Sequence, residues 1–176
     1  MAYVFSLFAF VFGTVVGSFL NVVVLRYNTG VTLHGRSRCF SCGITLRWLD
    51  LVPVVSFIAL RGRCRRCGSA ISLQYPLVEL VTGTVFALVF LHGMPHDFLS
   101  SGTVPLSTFH SLLSTLYYWL VSSLLIAISV YDLRHKIIPN GLVYAFIALA
   151  LLSALGVWNL EFGIWNFFGN WSASWR

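Results

Sequence analysis

Charge is scarce in this sequence, and acidic charge is the scarcest. Among 176 residues there are 11 basic and 5 acidic side chains, 9% of the chain together, where soluble domains carry about 25%. So few charges cannot cover a globular surface, which excludes an ordinary soluble enzyme, a disordered tail and a secreted disulfide miniprotein. The first 25 residues hold no charged side chain at all. No Gly-rich dinucleotide fingerprint occurs, no low-complexity tract, and no aspartate after Asp132; the sequence also reads as free of internal repeats. Apolar residues dominate instead. At 58% hydrophobic residues and a mean hydropathy of +0.86, the chain belongs among polytopic membrane proteins.

The uncharged runs predict the spans. Residues 4–25 are long enough to cross roughly 30 Å of hydrocarbon, and no Lys or Arg precedes them as a cleaved signal peptide would require. Further helices are expected over 80–91 (extended at its start by Leu77, Val78 and Glu79), 109–130 and 141–158. The apolar stretch 48–60 carries Asp50 and Pro53, is too short to cross, and reads as an interfacial or re-entrant segment. The expected fold is therefore an all-α integral membrane protein of about four transmembrane helices. Helix 1 occupies 1–25, a basic loop 26–76, helices 2–4 lie within 77–158, and an aromatic-rich tail fills 159–176. In that tail Trp158, Trp165, Trp171 and Trp175 read as an interfacial belt.

Charge asymmetry orients the bundle. Residues 26–66 hold eight arginines against Asp50 alone, the 131–139 loop holds Arg134 and Lys136, and residues 92–108 hold neither Lys nor Arg. The positive-inside bias then places the N-terminus outside and both basic loops in the cytosol. The arginines suit membrane insertion and anionic headgroups, so lipid is the expected partner of this loop and nucleic acid is not.

All four cysteines fall in that loop, as Cys39-Phe-Ser-Cys42 and Cys64-Arg-Arg-Cys67, each pair followed by glycine (Gly43, Gly68). Two such knuckles on a reducing face predict a tetrahedral structural zinc site in a ribbon-like loop rather than two disulfides. The nearby arginines are expected to favour the ligating thiolates. Four thiolates leave no open position, so this metal would hold a loop and would not attack a substrate.

Polar residues inside the apolar segments carry the remaining chemistry. Asp132 ends the third helix, where a carboxylate is often only the partner of a neighbouring Arg134 or Lys136. Asn21 and Glu79 suit interhelical hydrogen bonding, and Gly13 with Gly17 allows close helix contact. The histidines at 34, 92, 96, 110 and 135 show no dependable ligand spacing.

Four signatures, in order, resemble the type IV prepilin peptidase/N-methyltransferase family. They are Gly17-Ser18-Phe19-Leu20-Asn21-Val22-Val23, the paired C-x-x-C loop, Tyr75-Pro76-Leu77-Val78-Glu79-Leu80, and Asp132 with Ile138-Pro139. The resemblance implies a bifunctional enzyme of the bacterial inner membrane, an aspartic endopeptidase and methyltransferase. It would remove the leader of type IV prepilins and of type II secretion pseudopilins, then methylate the new N-terminus with S-adenosylmethionine. Its partners would be the leader and N-terminal helix of those substrates. Asp132 matches the first family aspartate; the second sits in a G-x-G-D motif that is missing here. The chain therefore reads as C-terminally truncated and is expected not to cleave alone, unless an oligomer brings two copies of Asp132 together. Glu79 is the candidate site for the substrate amine. The alternative is a non-catalytic zinc-binding membrane protein that binds prepilin-like helices.

Overall fold

The computed structural model describes residues 2–29, 35–93 and 106–156. The described residues are helical and contain no named strand. Helix α1 spans Ala2–Arg26, a short helix α2 spans Val55–Ala59, α3 spans Gln74–Gly93, α4 spans Leu106–His135 and α5 spans Asn140–Gly156. A single 3₁₀ turn, Trp48–Leu51, precedes α2. Helices α1, α3 and α4 are long and apolar enough to cross a membrane, while α5 is a shorter apolar helix. The expected fourth span ends at Trp158, outside the described residues, as do the aromatic tail, His34, His96, Asp97 and Glu161.

Helix boundaries differ from expectation where local chemistry decides them. α3 starts at Gln74 rather than 77, with Pro76 in its first turn, where a missing N–H breaks no helical bond. The Ser72 hydroxyl accepts the Gln74 N–H at 3.2 Å and caps that end. α4 runs past Asp132 to His135, and Lys136 then turns left-handed at φ 54°. There the Lys136 N–H returns 2.6 Å to the Asp132 carbonyl, closing the helix before Pro139 opens α5.

The central contact is α1 against α3, and glycine makes it possible. A Cβ at Gly13 would lie 2.8 Å from the Gly83 Cα, and one at Gly17 would lie 2.8 Å from the Glu79 Cα. The two backbones touch with nothing between them, as small residues in membrane helices permit. α4 completes the bundle. Leu20, Val24, Val78, Ala127 and Tyr131 form one buried cluster. Higher up, Trp119 stacks on Phe86 with centroids 4.7 Å apart and donates its indole N–H to the Phe86 carbonyl at 3.0 Å.

Candidate functional site

The two cysteine knuckles are copies of one another at an offset of 25 residues, which corrects the expectation of no internal repeat. In the first, the Cys39 N–H donates to the Ile44 carbonyl, the Gly43 N–H to Cys39, and the Leu46 N–H to Ser37. In the second, Cys64 donates to Ser69, Gly68 to Cys64, and Ile71 to Gly62. Each knuckle closes with one antiparallel bridge, Arg38 with Thr45 and Arg63 with Ala70. Gly43 and Gly68 both sit at φ 69°, with open space where a Cβ would stand. Glycine is required there for its left-handed backbone and not for room. The repeat is written in the sequence as Arg-Cys-x-x-Cys-Gly, but six residues are too short to stand out as a period.

This pairing brings all four sulfurs within 4.8 Å of one another. Thiolates around a tetrahedral zinc ion at 2.3 Å would be about 3.8 Å apart, and Cys39 Sγ already lies 3.8 Å from Cys67 Sγ. The cluster is therefore shaped to hold one metal ion, with Cys64 buried and Cys42 and Cys67 exposed. Backbone amides of Cys42 and Ser41, then the Ser69 hydroxyl, bring the Cys39 thiol down to about 6. Ser69 lowers Cys67 too, through its hydroxyl and its N–H. Cys42 moves the other way, to about 11: the Ile44 N–H favours its thiolate, but desolvation and the neighbouring thiols outweigh that. Knuckle amides, Ser69 and the neighbouring thiols are the leading influences on these thiols.

Behind the ribbon lies a cavity of about 1130 Å³, lined on one side by Ser18, Asn21, Tyr75 and Glu79 and on the other by ribbon residues including Cys39. Glu79 is only 7% exposed, although it is an acid in an apolar helix. The Val54 N–H donates to its Oε2 at 2.7 Å, and Ser18 is a second hydrogen-bond partner. Val54 is a β-branched residue at φ 60°, an outlier that persists only where its surroundings fix it. Asn21 is 1% exposed and gives its amide N–H to the Tyr75 carbonyl at 3.2 Å. Because that carbonyl can only accept, the amide orientation is determined, and Asn21 Oδ1 is left buried without a partner.

The 48–60 stretch, expected at the membrane interface, is the lid of this cavity. Asp50 anchors it: its Oδ1 lies 2.8 Å from Arg65 Nη2 as an ion pair outside hydrogen-bond alignment. Its Oδ2 accepts the Arg47 N–H at 3.2 Å. The lid is thus tied to the second knuckle by Asp50 and to α3 by Val54. The two partners of Glu79, Ser18 and Val54, differ in how far residue type announces them. Ser18 was legible, three residues before Asn21; Val54 acts through its backbone, which no side chain announces.

Asp132 is placed differently. It is exposed, does not line the cavity, and its carboxylate makes no hydrogen bond or ion pair among the described residues. The expected pairing with Arg134 or Lys136 is not formed there; Arg134 instead donates to Gln74 Oε1 at 3.2 Å. One residue earlier, Tyr131 packs into the core, so the helix turns Asp132 away from α1 and α3. The structure joins Glu79 to the ribbon cavity and leaves Asp132 outside it.

Comparison with known proteins matches residues 11–93 to the bacterial peptidase A24 N-terminal domain. A prepilin leader peptidase/N-methyltransferase of Myxococcus xanthus is 38% identical over 83% of this chain and 40% of its own length. One from Dichelobacter nodosus is 31% identical over 84% of this chain and 56% of its own. A type 4 prepilin-like proteins leader peptide-processing enzyme of Escherichia coli is 35% identical over 81% and 54%. The chain thus spans about half the length of these relatives. No solved structure matches.

Proposed function

Because the chain belongs to the prepilin leader peptidase/N-methyltransferase family, we propose that its described bundle is the part that receives a cleaved prepilin N-terminus for methylation. It also contributes one carboxylate, Asp132, to leader removal. The observation that carries this reading is the cavity roofed by the four-cysteine ribbon, with the buried Glu79 on its helical side. A multi-pass membrane protein presents that cavity beside the bilayer, where a single-span pilin helix would deliver its end. We place it in the bacterial inner membrane, N-terminus outside and ribbon in the cytosol, in pilus or type II secretion systems.

The ribbon would hold Zn²⁺ through Cys39, Cys42, Cys64 and Cys67, and a four-thiolate zinc keeps a loop folded without entering the reaction. Glu79 is the acceptor for the incoming α-amine, which must be neutral to attack a methyl group and titrates at about 7.7–8.0 in the open chain. A carboxylate fixed by the Val54 N–H and Ser18 has remaining lone pairs to hold that amine and take its proton. S-adenosylmethionine supplies the electrophilic methyl group when bound. The orphaned Asn21 Oδ1 and the arginine-rich wall are the residues that fit its ammonium and carboxylate.

The test uses the full chain in lipid with a mature pilin peptide and labelled methyl donor. Glu79→Gln is expected to cut methyl incorporation at least a hundredfold while Asp132→Asn leaves it unchanged. Equal incorporation by Glu79→Gln and the parent overturns the assignment. One observation favours a second reading. With Asp132 outside the cavity and unpaired with Asp50 or Glu79, the chain by itself would act as a zinc-binding membrane protein that docks prepilin-like helices. Binding of the pilin helix without any methyl transfer would support that.

A further inference from the structure

The cavity is lined by seven arginines and two carboxylates, and it lies where α1 and α3 leave their apolar spans. One carboxylate, Asp50, is occupied by Arg65. The other, Glu79, accepts from Val54 and Ser18 and has acceptor capacity left, since an ionised carboxylate takes about four hydrogen bonds. Asn21, which lines the same cavity, holds a buried acceptor with no donor among the described residues. A purely anionic ligand would satisfy the arginines and leave the Glu79–Asn21 end unanswered. A purely cationic ligand would be repelled by the arginines. The wall calls for one molecule carrying both an anion and a hydrogen-bond-donating cation.

The surroundings indicate which molecule. The lid turns Leu51, Phe57 and Leu60 toward the cavity and presents Trp48, Val55 and Ile58 outward, each at least 62% exposed. These lie outside the spanning helices, and apolar side chains of that size beside arginines are the composition of a membrane interface. The surface is thus continuous with the lipid-facing sides of α1 and α3, where Phe19 and Leu77 are also exposed.

We propose that the cavity binds the headgroup of an aminophospholipid such as phosphatidylethanolamine, its phosphate among the arginines and its primary ammonium between Glu79 and Asn21. Arginine matches phosphate oxygens in pairs. A primary ammonium brings three N–H donors, enough for a carboxylate and an amide oxygen, whereas a trimethylammonium brings none. Discrimination between those two headgroups therefore follows from hydrogen bonding, since their charges are equal. The lipid would occupy the same Glu79, Asn21 and arginine groups that the proposed methyl transfer uses, so it would compete there with the pilin amine and the methyl donor; lipid retention is read without any methyl transfer, which keeps the two readings separable.

Free phosphoethanolamine offers the same chemistry from solution, so the experiment separates the sources. The full chain in mild detergent is loaded with phosphatidylethanolamine or phosphatidylcholine of identical acyl chains, and retained lipid is counted by native mass spectrometry. The expected result is at least tenfold preference for phosphatidylethanolamine. Glu79→Gln should reduce it below threefold with phosphatidylcholine unchanged, and Arg38→Gln with Arg66→Gln should weaken both lipids. Helical circular dichroism of each variant, equal to the parent, certifies the fold; if Glu79→Gln fails that check, stepwise N-methylation of the lipid headgroup, measured on the parent protein, should lower retention as N–H donors are lost. Equal retention of both lipids overturns the proposal. So does displacement of the lipid by phosphoethanolamine at comparable concentration, which would assign the site to a soluble ligand.

Discussion

Two carboxylates sit in apolar helices of this protein, and their surroundings could hardly differ more. Glu79 is enclosed at the α1–α3 contact, held by a strained backbone N–H and a hydroxyl, and faces a cavity roofed by the cysteine ribbon. Asp132 stands exposed on the last turns of α4, away from the core that Tyr131 enters. A group so thoroughly fixed is prepared for binding before any ligand arrives; its surroundings have already met the cost of ordering it. An exposed carboxylate has no such preparation and acquires a partner only from outside the described residues. Among the described residues the surroundings of Glu79 are built, and those of Asp132 are not.

The sharpest way to test that contrast is to take away the metal proposed for the four cysteines. Chelation, or Cys64→Ser, should abolish hydrogen-exchange protection across residues 37–71 and release the lid from Glu79. Structural zinc is worth on the order of 10 kcal/mol to small domains, so this is the largest effect anticipated. Protection of α4 around Asp132 should stay the same, and an equal loss there would erase the distinction drawn between the two ends.

Next in size is Gly17→Val. The new side chain would have to enter space 2.8 Å from the Glu79 Cα and 3.0 Å from Val78 O. Backbone cannot retreat as a flexible side chain does, and about 3 kcal/mol, the top of the usual overpacking range, is expected. Denaturant titration in mixed micelles measures it. A loss under about 1 kcal/mol would mean that α1 and α3 do not meet at this glycine.

The smallest effect belongs to Asp132→Asn, which should change stability by less than about 0.5 kcal/mol, as surface substitutions do. The same titration reads it. A loss of about 2 kcal/mol would reveal a buried partner for Asp132 and weaken the comparison from its other side.

Much of this was legible in the residues. Gly13 and Gly17 announced a close helix contact, Asn21 and Glu79 announced polar groups crossing between helices, and the glycine-terminated cysteine pairs announced the convergence of four sulfurs. Each is a local pattern whose physical requirement admits few alternatives. The lid's position was half legible: Asp50 and Pro53 showed that 48–60 could not cross, but its anchorage depends on Val54 donating through its main chain. The thiolate tuning was less legible, because its leading contributions come from backbone amides of the knuckle and from the Ser69 hydroxyl, which cysteine spacing does not announce. The placement of Asp132 depends on helix phase relative to Tyr131, which becomes certain only when the core is known.

The duplicated knuckles also bear on how the protein is made. Translation at about 5–20 residues per second delivers Cys64 about 1 to 5 s after Cys39, since 25 residues separate them. During that interval the first half-site, with both sulfurs and its left-handed glycine in place, waits with two of its four ligands. Cys67 completes the set only seven residues before Gln74 begins α3. Completion of the four-sulfur cluster and entry of the next apolar helix into the membrane are therefore close in time. If the cluster takes up a metal ion, a shortage of it at that moment would leave α3 entering beside an unfinished roof.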